Sequence, residues 1–357
     1  MATLYLVSVE GEVGKTALAL GLGLQARDRG LKVGYMKPVG VRVATSPDGR
    51  LVEADATFMA QALGLDDPLD VICPVLLTEV VRRAAIEGRS FDAAAAVTSA
   101  YGRLAQGKDL VIADGPPTTR QGITLGVEPM KVAELTDAQV VVVLRGEYQL
   151  SAEAALLAKS LFGKRLIGAI VNAAPLETVD DTRSYFGPYL EQHGLQLFGV
   201  LPRDPVLGAF TVAELAELLN GRPLFQERAE GALVESFTVG AMGAEAALRY
   251  FLRQANKAVI TGGDRTDIIL AALDTPTRCL ILTGNLMPDQ VAITRAVDRR
   301  VPILLVPLDT LETVRRIEDA RGPVRLASPQ QIERLRQLIR REVDIDSLLA
   351  ALGLAPR

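Results

Sequence analysis

Six short runs, most of them dense in valine, isoleucine and leucine, at residues 4–9, 32–36, 110–113, 140–144, 166–172 and 197–201, constrain the fold more than any other feature. They are near-continuous apolar stretches, which is the pattern of parallel strands covered by helices on both faces. Longer stretches of helical periodicity, such as 16–27, separate them. The expected fold is therefore α/β, an open, doubly wound, mostly parallel sheet. Closely spaced prolines in Pro202-Arg203-Asp204-Pro205 break the pattern and place a domain boundary there, so the first domain is expected to span 1–205.

Beyond the boundary, Thr211 with Glu214 three residues later has the spacing of a capping box. Further βα units follow, 258–261 into 268–273, 279–283 into 290–295 and 303–306 into 311–317, and make a second, smaller α/β domain over 206–325. Ser328, Pro329 and Gln331 open one more helix in a C-terminal helical tail, 326–357, whose arginines are most simply a solvated face. A chain of 357 residues is comfortable with two cores.

A net charge of -4 offers no electrostatic footprint for nucleic acid. Cys73 and Cys279 are too few and too far apart for a zinc cluster or a disulfide framework. His193, the only histidine, sits in a helix-ending context and reads as a surface residue. The amino terminus has no basic n-region, and no apolar run reaches the roughly 18 residues of a membrane span. A cytoplasmic protein without membrane or nucleic-acid partners is expected.

Between the first run and the first helix lies Ser8-Val9-Glu10-Gly11-Glu12-Val13-Gly14-Lys15-Thr16. In that context successive backbone amides from Glu12 to Ala17 can cradle phosphates, Lys15 can reach the terminal phosphates and the Thr16 hydroxyl can bind Mg²⁺. A chance Gly-Lys-Thr at a helix start is the alternative. The loop is a variant, because Val9 stands five residues before Gly14, where a glycine is usual, and two carboxylates, Glu10 and Glu12, flank an anion site. Asp114 follows a buried strand, where a Walker B acid binds Mg²⁺, although Asp114-Gly115-Pro116-Pro117 is also good turn chemistry.

Glu12-Val13-Gly14-Lys15-Thr16, the later Gly34-Tyr35-Met36-Lys37-Pro38-Val39 and Asp55 together resemble the dethiobiotin synthetases and their relatives, including the synthetase part of cobyrinic acid a,c-diamide synthase. The resemblance implies ATP with Mg²⁺, an acidic loop residue at Glu12, a catalytic lysine at Lys37 beside Lys15, and metal binding by Asp55 with Thr16 and Asp114. Taken by itself, Lys37 would read as a strand-end surface lysine. Asn172, and the stretch Gly199 to Asp204 that contains Pro202, resemble the family's adenine-recognition elements. Pro116 and Pro117 stand where that family has substrate-binding glycines, and proline lacks the donor N–H.

In the second domain, Gly262-Gly263-Asp264-Arg265-Thr266 joins a strand to a helix and resembles the motif that names the DRTGG domain. As structure alone it is a capped turn; as a motif it is a candidate ligand site. The DRTGG domain occurs in long phosphotransacetylases, after a dethiobiotin-synthetase-like region, and in regulated pyrophosphatases, where it helps form dimers. The resemblance implies a homodimer, a possible phosphotransacetylase or other metabolic partner, and a nucleotide-sensing module with weak or no ATPase activity. The chain ends where an acetyltransferase region is expected to begin. An ATP-dependent ligase acting on a small carboxylate or amine is the alternative.

Overall fold

The computed structural model describes residues 1–89, 91–146, 148–224, 232–320 and 326–354. They form an α/β structure with two compact units, Met1–Arg203 together with Leu335–Arg357, and Asp204–Arg334. The first unit is built on a six-stranded sheet: β1 (Ala2–Val7), β2 (Val33–Met36), β3 (Leu110–Asp114), β4 (Gln139–Arg145), β5 (Leu166–Ala174) and β6 (Gln196–Pro202), in the order β6-β5-β4-β1-β3-β2. Every pairing is parallel. All five residues of β3 and the central residues of β4 are buried, as strands covered on both faces must be.

The strand order reverses beside β1, between β3 and β4, and such switch points open a crevice at the carboxyl ends of the strands. The first run ends sooner than its sequence suggests. Pairing with β3 stops at Leu6 opposite Asp114, and Ser8 already turns the chain by hydrogen bonding to the Glu10 carbonyl at 2.6 Å. Helix α1 (Lys15–Asp28) follows, and most of its residues are buried. Between β2 and α2 (Ala54–Ala62) stands a hairpin of two short strands, Val43–Thr45 and Leu51–Glu53. The sequence reading did not anticipate it, although Ser46-Pro47-Asp48-Gly49 at its tip is strong turn chemistry.

The second unit has a five-stranded sheet of β7 (Arg222–Pro223), β8 (Ser236–Val239), β9 (Lys257–Gly262), β10 (Thr277–Thr283) and β11 (Ile303–Leu305), in the order β7-β11-β10-β9-β8. Only the β7 pairing is antiparallel. Helices α3 (Ala244–Phe251), α4 (Thr266–Leu273) and α5 (Gln290–Arg299) pack one apolar cluster around Phe251, Ile268 and Leu282. The Thr211 and Glu214 capping box forms as expected. Lys257, at the start of β9, is fully buried, and its ammonium donates to the Gln254 carbonyl and the Thr275 hydroxyl, each at 3.0 Å. Burial lowers its pKa.

Helix α6 (Pro329–Glu342), which a shorter helix over Ile345–Ala351 follows, starts at the Ser328, Pro329 and Gln331 signal. Its arginine face is not simply solvated. Arg336 grips Asp28 through two nitrogens at 3.0 and 2.6 Å, and the carbonyl of Arg336 accepts from Gln25 at 3.2 Å. Ile339 is fully buried where α1 has Gly21; a Cβ added there would lie 2.5 Å from Ile339 Cγ1. Beyond the helix, Val343 bridges Gly199 on the edge strand β6, and the Asp344 amide donates to the Phe198 carbonyl at 2.8 Å. Apolar burial and edge pairing therefore place the last residues of the expected separate tail within the first unit.

Two measurements check this packing. Gly21→Val should cost about 1–3 kcal/mol of stability in denaturant melts, with part recovered by Ile339→Ala, as overpacking in a core does. Because the buried Lys257 holds its proton less tightly than the unfolded chain does, the unfolded state binds more protons as pH approaches 10.5. Wild type should therefore gain stability relative to Lys257→Met as pH rises from 8 towards 10.5.

Candidate functional site

The phosphate-loop segment leaves β1 at the switch point with Glu12 and Gly14 both in the left-handed region, at φ 56° and 87°. Gly14 takes that conformation without steric cost and delivers the chain into α1 at Lys15. No side chain caps α1, and its first turn carries no acidic residue, so the positive helix end is available to an anion.

Lys15 is buried, and its ammonium lies 2.6 Å from the Ser8 hydroxyl. Ser8 in turn has the carbonyls of Glu10 at 2.6 Å and Pro117 at 3.1 Å as acceptors. Burial pulls the Lys15 pKa down to about 8, with the Asp114 charge opposing and the Lys37 charge adding to the fall.

Asp114, at the end of β3, is fully buried and gathers three donors on one oxygen. Its Oδ2 accepts from Lys37 Nζ at 2.7 Å, Thr16 Oγ1 at 2.7 Å and Tyr35 Oη at 3.1 Å. Its Oδ1 is buried without a hydrogen-bond partner, as is the Tyr5 hydroxyl. Burial alone would lower the Lys37 pKa; the charges of Asp114 and Asp55 outweigh it and hold the ammonium above its ordinary range. Burial, then Asp114, pushes the Tyr35 phenol well upward. Asp55 closes the cluster from α2, with Oδ2 3.5 Å from both Thr16 Oγ1 and Lys37 Nζ, and Oδ1 3.0 Å from Arg42 Nη1.

Lys15, Thr16, Lys37, Asp55 and Asp114, far apart in sequence, thus belong to one cluster. Lys37 is buried in this charge network, so the surface-lysine alternative fails. Val13 and Ala17 are buried beside it, and Glu12 is exposed on the loop. Asn172 does something different from presenting its whole amide to a ligand: its Nδ2 donates to the Val13 carbonyl at 2.8 Å and so braces the phosphate loop. Pro202 ends β6. A cavity of about 200 Å³ opens beside the loop, lined by Val9, Glu10 and Val13, by Arg145 and Ser151, and by Ala173 and Arg203, the neighbours of the two residues expected to read a base.

Sequence reasoning missed Tyr35, Ser8 and Arg42. Tyr35 was within reach, since residues i and i+2 of a strand share a face and Lys37 was already a candidate.

In the second unit, Gly262 ends β9, and Gly263 has no room for a side chain, because a Cβ would fall 1.7 Å from the Leu286 carbonyl oxygen. Asp264 is exposed. Arg265 pairs with both oxygens of Asp267, at 3.1 and 3.2 Å, and donates to the Met242 carbonyl. Thr266 donates to Asp289 at 2.5 Å. Arg265 and Thr266 are thus each engaged by a nearby carboxylate, and no side chain caps α4, so the expected capping by Asp264 or Thr266 does not form. Among the described residues, no group of three or more His, Cys, Asp or Glu side chains could hold a metal ion, and no helix is long and apolar enough to cross a membrane.

A strand, a phosphate loop and a helix at the switch point of a parallel sheet define a P-loop nucleoside-triphosphatase fold. Residues 2–211 match the AAA domain family, more than half of the chain, and the chain belongs to that family. Residues 214–320 match the DRTGG domain. The phosphate acetyltransferase of Pseudomonas aeruginosa is 26% identical over 379 residues, covering 99% of this chain and 52% of that protein. The ATP-dependent dethiobiotin synthetase BioD of Rhodopirellula baltica is 36% identical over 75 residues, 21% of this chain and 29% of that one. The CBS and DRTGG domains of the Clostridium perfringens pyrophosphatase, solved with diadenosine tetraphosphate, align at 17% identity over 44% of this chain and 74% of that one, with a TM-score of 0.28. The chain spans about half the length of the curated relatives it matches, and it resembles their P-loop and DRTGG region.

Removing one partner of a buried ion pair leaves the other uncompensated. Lys37→Met should therefore cost about 3–5 kcal/mol in chemical denaturation, and Lys37→Met with Asp114→Asn should cost less than the sum of the single changes.

Proposed function

We propose that the chain binds Mg-ATP at its phosphate loop and acts as a nucleotide-sensing regulatory module of the phosphotransacetylase type, with weak or no ATPase activity. The observation that carries this reading is the meeting of Lys15, Thr16, Lys37, Asp55 and Asp114 in one cluster at the start of α1. The oxygen set of Thr16, Asp55 and Asp114 fits Mg²⁺, a hard cation usually held by one or two carboxylates and by phosphate oxygens. The unpartnered, buried Asp114 Oδ1 is an additional oxygen suited to it. Bound there, Mg²⁺ would neutralise charge on the β- and γ-phosphates.

The chain's own groups do the rest. Amides of the loop and of the first turn of α1 hold phosphate oxygens, the Lys15 ammonium exchanges the Ser8 hydroxyl for phosphate, and Lys37, fixed by Asp114, keeps a second positive charge at the same end. Asn172 keeps the loop in shape through the Val13 carbonyl, and the base takes the side of Asn172 and Pro202.

A regulatory role is favoured over ligase chemistry because Pro116 and Pro117 cannot donate backbone hydrogen bonds to an acyl or amine substrate. The Pro117 carbonyl is also a Ser8 acceptor. The second unit would form a homodimer through its DRTGG region and pass the nucleotide signal to a phosphotransacetylase or another metabolic enzyme in the cytoplasm, with Gly262 to Thr266 shaping the turn.

Titration calorimetry with Mg-ATP should give saturable binding, and Lys15→Ala should weaken it roughly 10–100-fold, the range of a hydrogen bond to a charged group. Rapid ATP turnover with a small carboxylate or amine would overturn the regulatory reading in favour of a ligase.

A further inference from the structure

Among the described cations that meet the Asp55 and Asp114 carboxylates, Arg42 is the one that faces water, with 69% of its side chain exposed. Its backbone is fixed at the base of the hairpin: its amide donates to Glu53 Oε1 at 3.4 Å, and its carbonyl accepts from Ala54 at 2.9 Å. Among the described residues, the guanidinium is held by Asp55 Oδ1, at 3.0 Å. Asp55 is the same carboxylate whose other oxygen lies 3.5 Å from the Thr16 hydroxyl and from Lys37. A single carboxylate therefore separates an exposed guanidinium from the phosphate-loop hydroxyl.

An ion pair so open to solvent is weak, whereas a guanidinium fork matches a phosphate with two parallel hydrogen bonds. Lys15 opens α1 and Lys37 follows β2, whereas Arg42 comes to Asp55 from the base of the hairpin. We propose that Arg42 discriminates the terminal phosphate: it exchanges Asp55 for the γ-phosphate of a nucleoside triphosphate and so distinguishes a triphosphate from a diphosphate. The proposal rests on the nucleotide-binding reading above and adds to it the group that would make binding depend on the third phosphate. Exposure of the side chain makes its replacement tolerable to the fold.

Calorimetric titration of the full chain with Mg-ATP and Mg-ADP tests it in wild type, Arg42→Gln, Arg42→Lys and Lys15→Ala. Wild type should prefer ATP. Arg42→Gln should lose roughly tenfold in ATP affinity, the low end for a hydrogen bond to a charged group, while ADP affinity changes less than about twofold. Arg42→Lys, which keeps the charge and loses the fork, should fall between, and Lys15→Ala should weaken both nucleotides. An Arg42→Gln chain that retains the wild-type ATP-to-ADP ratio, or loses both affinities equally, overturns the role of Arg42 and leaves nucleotide binding standing. A wild-type chain that binds neither nucleotide overturns the reading beneath it as well.

Discussion

The Asp114 carboxylate is the interaction on which the first unit's chemistry depends. A fully buried carboxylate is costly unless donors surround it, and Lys37, Thr16 and Tyr35 converge on one of its oxygens. Those donors come from β2, from the residue that follows it, and from α1, so the position of Asp114 at the end of β3 sets the mutual register of three elements. The same contacts explain why Lys37 stays charged in an apolar setting and why Thr16 faces the sheet end.

Much of this fold was readable in the chain. The six runs became the six strands because burial on both faces leaves short apolar stretches, and their length between longer helical segments sets them apart from buried helices. Errors of one or two residues at their ends, as at Ser8 and Val9, arise where turn hydrogen bonds compete with ladder pairing. The phosphate loop was readable because its function is local, with loop and helix end contiguous in sequence. Lys37 and Asp55 are different: nothing in their spacing brings them to Asp114, which its place after a buried strand marked out, and family resemblance rather than periodicity singled the two out.

What could not be read depends on tertiary contact. Asn172 bonds to a backbone carbonyl 159 residues away, and no local pattern announces such a brace. The hairpin that positions Arg42 carried a turn signal, but two three-residue strands are too short for period-two alternation to stand out. The arginines of α6 looked like a solvated face because charge pattern alone cannot say that Asp28 of α1 waits opposite Arg336. The turn that resembles the DRTGG motif shows the converse, a strong sequence signature whose Arg265 and Thr266 are already satisfied by Asp267 and Asp289.

The return of Val343 to Gly199 has an effect on assembly. An open β6 would present backbone donors and acceptors to any passing strand, the usual route to edge-to-edge aggregation. The segment after α6 masks part of that margin with its own backbone, while Ile339 packs where α1 has Gly21. A fragment trimmed to the first two hundred residues would therefore keep the phosphate loop yet carry a sticky flank, and its solubility would be a poor guide to that of the 357-residue chain.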